Sequence, residues 1–205
     1  MTRILKGFAT VLFVITALAL SYASAARADV TEYIIDPDHS QVIFKVKHMG
    51  ISTVTGRFDE FEGTYAFDEE DLSKSNVETV IRTASINTNK TKRDDHLKSP
   101  DFLDVEKNPT IIFKSKEIRN ADGEDFEIVG DLTINGVTKE VVLDAEYGGK
   151  ATDPMGNERS AFTAETKIDR KDYGITWNKT LDAGGVVVGD DVKIALEVEG
   201  IKKKG

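Results

Sequence analysis

The sequence predicts an all-β protein, a closed antiparallel barrel of eight strands with a helical insertion between the third and the fourth. Three observations predict it. Beyond residue 28, apolar residues recur at every second position in eight stretches of strand length, which is the mark of strands with one buried face. That alternation is interrupted convincingly only over residues 90–107. Glycines and a change of parity lie inside the stretches, as strands that curve into a barrel require.

Residues 1–28 read as a secretory leader rather than as part of the fold. Arg3 and Lys6 make a basic start, residues 8–20 are apolar or weakly polar, and Ala26-Arg27-Ala28 fits a small-x-small cleavage site. The apolar run is shorter than the roughly 20 residues a spanning helix needs. Residues 29–205 then form one soluble domain, expected in a bacterial periplasm or secreted. The chain has no cysteine, which excludes a disulfide framework, a thiol nucleophile and a Cys-ligated metal. Its formal net charge is −9, and the leader contributes only bases. Such an acidic chain is a poor candidate for nucleic acid or for adhering to an anionic bilayer.

The first predicted strand covers residues 40–49, with Val42, Phe44, Val46 and His48 on one face. The second covers 54–67; Val54, Gly56 and Phe58 hold one parity, and Phe61, Gly63, Tyr65 and Phe67 the other. A bulge explains the switch. Asp68 to Asp71 make an acidic, solvated turn. The third strand covers 76–86, with Val77, Thr79, Ile81 and Thr83 inward. Helix is expected over 90–107. Ser99-Pro100-Asp101 gives an N-terminus there, with Ser as cap and Pro at the first position, and Phe102 and Val105 face inward. Pro109 ends the segment. The fourth strand covers 110–118 and the fifth 126–134. Asn135-Gly136, the strongest short hairpin signal, leads into the sixth at 137–147. The seventh covers 158–168 and the eighth 191–201, separated by an irregular, glycine-containing stretch.

Parity places fifteen residues on the inner wall: Val42, Phe44, Val46, Phe58, Phe61, Ile81, Phe102, Phe113, Phe126, Ile128, Leu132, Leu143, Phe162, Ile194 and Leu196. Several other inward positions are small: Gly56, Gly63, Gly130, Ala145 and Ala164. Small residues alternating with phenylalanines leave room for a slender apolar guest. Equally, the glycines relieve curvature inside a packed core; barrels of this size do both. A long hydrocarbon suits such a bore, because each buried CH₂ is worth about 0.8 kcal/mol.

Chemistry-bearing residues are sparse. The three histidines, His39, His48 and His96, fit no metal-binding spacing. His48 reads as a hydrogen-bonded buried histidine, or as a ligand-contact or metal residue near a barrel mouth. His39, after Asp36-Pro37-Asp38, reads as a turn-stabilising group. His96 and Arg93, in Arg93-Asp94-Asp95-His96, read as capping and ion-pairing groups or as contacts to a polar head group. Arg170, Asp172 and Tyr173 read as a structural turn, with head-group contact as the alternative. No nucleophile elbow, phosphate loop or dinucleotide fingerprint is present, so a non-enzyme that needs no cofactor is expected. A histidine and carboxylate metal enzyme and a ligand-free stress-response module are the alternatives.

Five motifs together resemble the YceI-like family. They are Asp36-Pro37-Asp38-His39-Ser40-Gln41-Val42-Ile43-Phe44 with His48-Met49-Gly50; Gly56-Arg57-Phe58-Asp59-Glu60-Phe61-Glu62-Gly63; the stretch from Arg93 to Phe102 with Lys107-Asn108-Pro109; Gly130-Asp131-Leu132-Thr133-Ile134-Asn135-Gly136; and Tyr173-Gly174-Ile175. The resemblance spans residues 29–205. It implies a lipocalin-like barrel, periplasmic or secreted, that carries a polyisoprenoid lipid, such as an isoprenoid quinone or prenyl diphosphate, in an apolar tunnel. It also implies association with a cytochrome b-type membrane protein; a homodimer is left open. Glu140 and Asn108 depart from the family pattern, where proline and an aromatic are common.

Overall fold

The computed structural model describes residues 30–68, 70–182 and 184–204; the predicted leader lies outside them. Eleven strands and one helix follow in order: β1 (Thr31–Ile35), β2 (Gln41–His48), β3 (Ser52–Phe58), β4 (Phe61–Phe67), β5 (Asn76–Arg82), β6 (Ile86–Asn87), α1 (Thr91–Lys98), β7 (Thr110–Asp122), β8 (Asp125–Ile134), β9 (Val137–Thr152), β10 (Glu158–Asp169) and β11 (Val188–Lys202). Every pairing is antiparallel. The strands run β1-β4-β5-β7-β8-β9-β10-β11, and β11 returns to β1 to close the cylinder. β11 also pairs with β2, which pairs with β3, which pairs with β6. Three wall strands are thus bent pairs, β1 with β2, β3 with β4 and β5 with β6, and the wall is the predicted eight-stranded barrel.

Each bend has a local cause. β1, which the alternation does not announce, is separated from β2 by Pro37 and by the turn in which Asp36 Oδ1 accepts the Asp38 N–H at 3.1 Å. The expected bulge in the second strand is a break at Asp59 and Glu60, and it puts both Phe58 and Phe61 inward. After β5 the chain makes a 3₁₀ turn at Thr83–Ser85. There Thr83 donates its backbone N–H to Pro109 O (3.1 Å) and its hydroxyl to Asn108 O (2.7 Å). Beyond that link β6 and β7 part, and α1 with the turns at 99–109 fills the gap.

The helix is shorter than expected. It ends at Lys98, and Ser99 is its C-terminal rather than its N-terminal cap, with Oγ donating to His96 O at 2.8 Å. Pro100 ends the helix in front of it, since the residue before proline is driven out of the α region, and Ser99 is extended (φ −71°, ψ 169°). Phe102 and Leu103 are buried all the same. The expected solvated turn after β4 is partly inward: Asp68 is buried and accepts the N–H groups of Glu70 and Asp71.

The end of the cylinder where β1 meets β11 is solid. Tyr33 stacks on Tyr65 (4.9 Å), Tyr65 meets Phe162 edge-on (5.3 Å), and Phe67 lies against Tyr147 (4.6 Å) and Phe126 (6.5 Å). Two buried tyrosine hydroxyls are satisfied, Tyr33 by Glu158 (2.8 Å) and Tyr65 by Ser160 O (2.7 Å). Glycines make room for rings here and in the adjoining wall. A Cβ at Gly200 would lie 2.6 Å from the Tyr65 oxygen, and one at Gly130 would lie 2.6 Å from both the Phe113 ring and Lys114 O. The ring of Phe44 covers Gly56 in the same way. These glycines seat aromatic rings and do not by themselves leave space.

Candidate functional site: an apolar cavity in the barrel

From the aromatic plug to α1 the cylinder is hollow. The cavity encloses about 200 Å³, against the roughly 10–15 Å³ that one buried water needs. Fourteen of the fifteen residues placed inward by parity line it: Val42, Phe44, Val46, Phe58, Phe61, Ile81, Phe102, Phe113, Ile128, Leu132, Leu143, Phe162, Ile194 and Leu196. Phe126 does not; it is buried in the plug against Phe67. Alternation fixes the face of a strand a side chain takes, not its height along the axis. Thr79, read as inward, lies in the wall, and so does Thr166.

Gln41, Ile43, Val188 and Glu197 border it too, and the remaining lining comes in two groups. Val77, Ile111, Ile134, Ile168, Val192 and Val198 continue parities already visible in the sequence, and Ile35 joins them from the unannounced β1. Leu97, Leu103, Arg170, Tyr173 and Ile175 come from α1 and irregular segments, where no period shows direction. Arg170 is 4% exposed. It donates to the carbonyls of Gly189 (2.9 Å), Ile175 (2.7 Å) and Trp177 (3.0 Å) and pairs with Asp190 (3.1 Å). It therefore ties the 170–190 segment across this end of the barrel, which is the structural reading of that turn. Tyr173 is 1% exposed and its hydroxyl has no hydrogen-bond partner. Burial, helped by Asp172, pushes its pKa up to about 12.

The three expected head-group residues stand outside the cavity wall. His48 ends β2, opposite Val188 and Ser52. Arg93 donates to the Thr88 hydroxyl (2.7 Å) and carbonyl (2.8 Å). His96 bonds Asp101 (2.9 Å) and meets Phe102 and Trp177 edge-on at 5.0 and 4.8 Å. His96 and Trp177 thus back Phe102, whose own ring faces the cavity.

The histidines are not brought together, since His39 and His48 flank β2 at opposite ends and His96 is on α1. The ligand atoms of Asp36, His39 and Glu199 do lie within 4.8 Å of one another. A guanidinium already holds their charge: Arg159 Nη1 is 2.7 Å from Asp36 and 2.6 Å from Glu199, and its Nε is 3.0 Å from Asp153. Arg159 holds the Asp36 carboxyl below the usual carboxylate range. His39 caps this network through Asp36 (2.8 Å), in its expected turn role. Among the described residues, no helix is long and apolar enough to cross a membrane.

Known proteins share this arrangement. The family model described as YceI-like domain matches residues 33–200. A UPF0312 protein of Pectobacterium atrosepticum is 44% identical over 184 residues, covering 89% of this chain and 92% of the relative. The crystallised YceI protein of Campylobacter jejuni is 35% identical with a TM-score of 0.67, covering 77% of this chain and 90% of its own. A polyisoprenoid binding domain from Saccharophagus degradans, implicated in plant cell wall breakdown, has the same fold. Its TM-score is 0.60 at 15% identity, over 85% of this chain and 99% of its own.

Proposed function

Because the chain belongs to the YceI-like family, we propose that its barrel is a carrier that holds one polyisoprenoid lipid, an isoprenoid quinone or prenyl diphosphate, in the apolar cavity. The observation that carries this reading is the hollow between plug and helix, walled by phenylalanine, leucine, isoleucine and valine. An apolar cavity of this kind stays dry or takes an apolar guest. A dozen buried carbons contribute on the order of 10 kcal/mol before ordering and association costs. The name of the Saccharophagus domain supports the polyisoprenoid class. The leader at residues 1–28 supports a periplasmic site of action. A cytochrome b-type membrane protein fits as donor or acceptor of a quinone, and carriage itself needs neither catalysis nor a cofactor.

The test is organic extraction of the purified mature protein with mass spectrometry of the extract. A prenyl lipid bound at up to one per chain is expected. Thr166→Phe, which adds bulk at a wall position, should keep the β-sheet circular dichroism and lose the lipid. An empty wild-type protein that takes up no prenyl lipid on incubation would overturn the reading.

A further inference from the structure

The end of the barrel around α1 carries features that neither packing nor the cavity explains. β2 and β3 are joined by the three residues Met49, Gly50 and Ile51, with Ile51 N–H donating to His48 O at 3.2 Å. Met49 and Gly50 have φ of 54° and 71°. The same protein reaches the same pair of positive φ angles in its two-residue turn at Asn135 (51°) and Gly136 (73°), with the residues that this left-handed geometry prefers. Methionine in that position is a local rule broken, and such departures cluster at functional places. Met49 is 41% exposed, and Ile51 beside it 84%. Met49 donates its N–H to Val187 O at 2.8 Å, which brings in Val186, 44% exposed. Three apolar residues therefore crown one tip. Directly beneath them His48 pairs with Val188, a residue of the cavity wall.

Below this crown the outer face is basic on an acidic protein. Lys45 lies directly opposite Lys193, and Lys193 opposite Lys167. Like charges so placed destabilise a sheet. Lys167 is paired, with Asp191 at 3.0 Å. Lys45, Lys47, Lys193 and, on the adjoining loop, Lys179 form no ion pair among the described residues. Of the acids nearby, Asp190 is held by Arg170 and Lys171, Asp169 faces Asp191 and accepts the Lys171 N–H, and Asp182 is exposed on the loop.

We propose that this end of the barrel docks on an anionic phospholipid bilayer, with Met49, Ile51 and Val186 entering the acyl boundary and the unpaired lysines meeting the head groups. Three apolar side chains are too few for the core of a protein interface. A small apolar tip ringed by mobile cations is what an interfacial anchor needs. The overall negative charge keeps the contact weak and salt-sensitive, which suits a protein that must leave again. The proposal rests on the carrier reading for its purpose, since docking presents the cavity to the membrane.

The experiment is co-sedimentation of the mature protein with vesicles of phosphatidylcholine alone or mixed with phosphatidylglycerol, with lipid extraction run in parallel. Binding to the mixed vesicles and release by salt are expected. Lys45→Gln and Lys193→Gln should each lower partitioning about five-fold. Met49→Gly, which suits the turn better than methionine, should fold at least as well and yet bind less. Equal or no binding to the two vesicle types overturns the proposal, as does indifference to these substitutions or binding only to membranes that carry integral proteins. A protein that extracts with lipid but does not discriminate between vesicles leaves the carrier reading standing alone. Discrimination by a protein that extracts empty leaves docking standing and removes carriage.

Discussion

Gly130 matters for what stands over it. The Phe113 ring and the Lys114 carbonyl occupy the space a Cβ would take, and a backbone oxygen does not move aside cheaply. Gly130→Ala is therefore expected to destabilise the fold by about 1–3 kcal/mol, the usual cost of overpacking, measured by urea unfolding. Tyr173 is the opposite case, a buried hydroxyl without a partner. Tyr173→Phe removes an unsatisfied polar group and should leave the ligand-free protein as stable or up to about 1 kcal/mol more so. Arg159 gathers Asp36, Asp153 and Glu199. Asp36 is held ionised to lower pH in the fold than in the unfolded chain. That contribution is present above the ordinary carboxylate pKa of about 4 and disappears as pH falls through the depressed value. Arg159→Met should shift acid unfolding to higher pH, followed by circular dichroism.

At the scale of elements, the part of the wall most open to rearrangement is the segment from α1 to Asn108, because it replaces hydrogen-bonded strand where β6 and β7 diverge. Phe102 fastens it, buried between the cavity and the His96–Trp177 pair. Phe102→Ala is expected to cost about 3–5 kcal/mol and to speed the loss of a bound fluorescent prenyl probe. This segment was also the least legible in the sequence. Ser-Pro-Asp is a helix-starting pattern, yet the same proline stops the helix in front of it, and only the tertiary gap decides. Strands β7 to β11 were legible because a barrel interior takes alternate residues whatever the strand order; hence Phe113, Ile128 and Ile194 were placed correctly. β1 was not, having five residues and a proline soon after. Arg170, Tyr173 and Ile175 were illegible as wall residues because carbonyl contacts, rather than a period, turn their segment inward.

For the whole molecule, the question of packed or hollow has a divided answer: an aromatic plug at one end and a void at the other. A guest in the void stabilises only the folded state. Extraction of the lipid should lower the thermal midpoint by several degrees, since ligand at a hundred times its Kd adds about 2.7 kcal/mol. The plug sets the alkaline limit. Burial pushes Tyr65, like Tyr173, up to about 12 and raises Tyr33 as well. The fold holds these protons more tightly than the unfolded chain, whose tyrosines titrate near 10. Stability is thus undiminished below about pH 10 and falls as pH climbs toward about 12. Absorbance at 295 nm should show these phenols ionising together with loss of the sheet.

β11 pairs with β10 along its length, with β1 at one end and with β2 at the other. It is the last strand of the wall to leave the ribosome, and its partners β1 and β2 are the first. The seam therefore cannot be sewn while the chain is still being made, and such distant pairings are slow to form. On the proposed carrier role, a guest is therefore not trapped during synthesis but enters a finished vessel, and the parted wall behind the helix is where that vessel is not stitched shut.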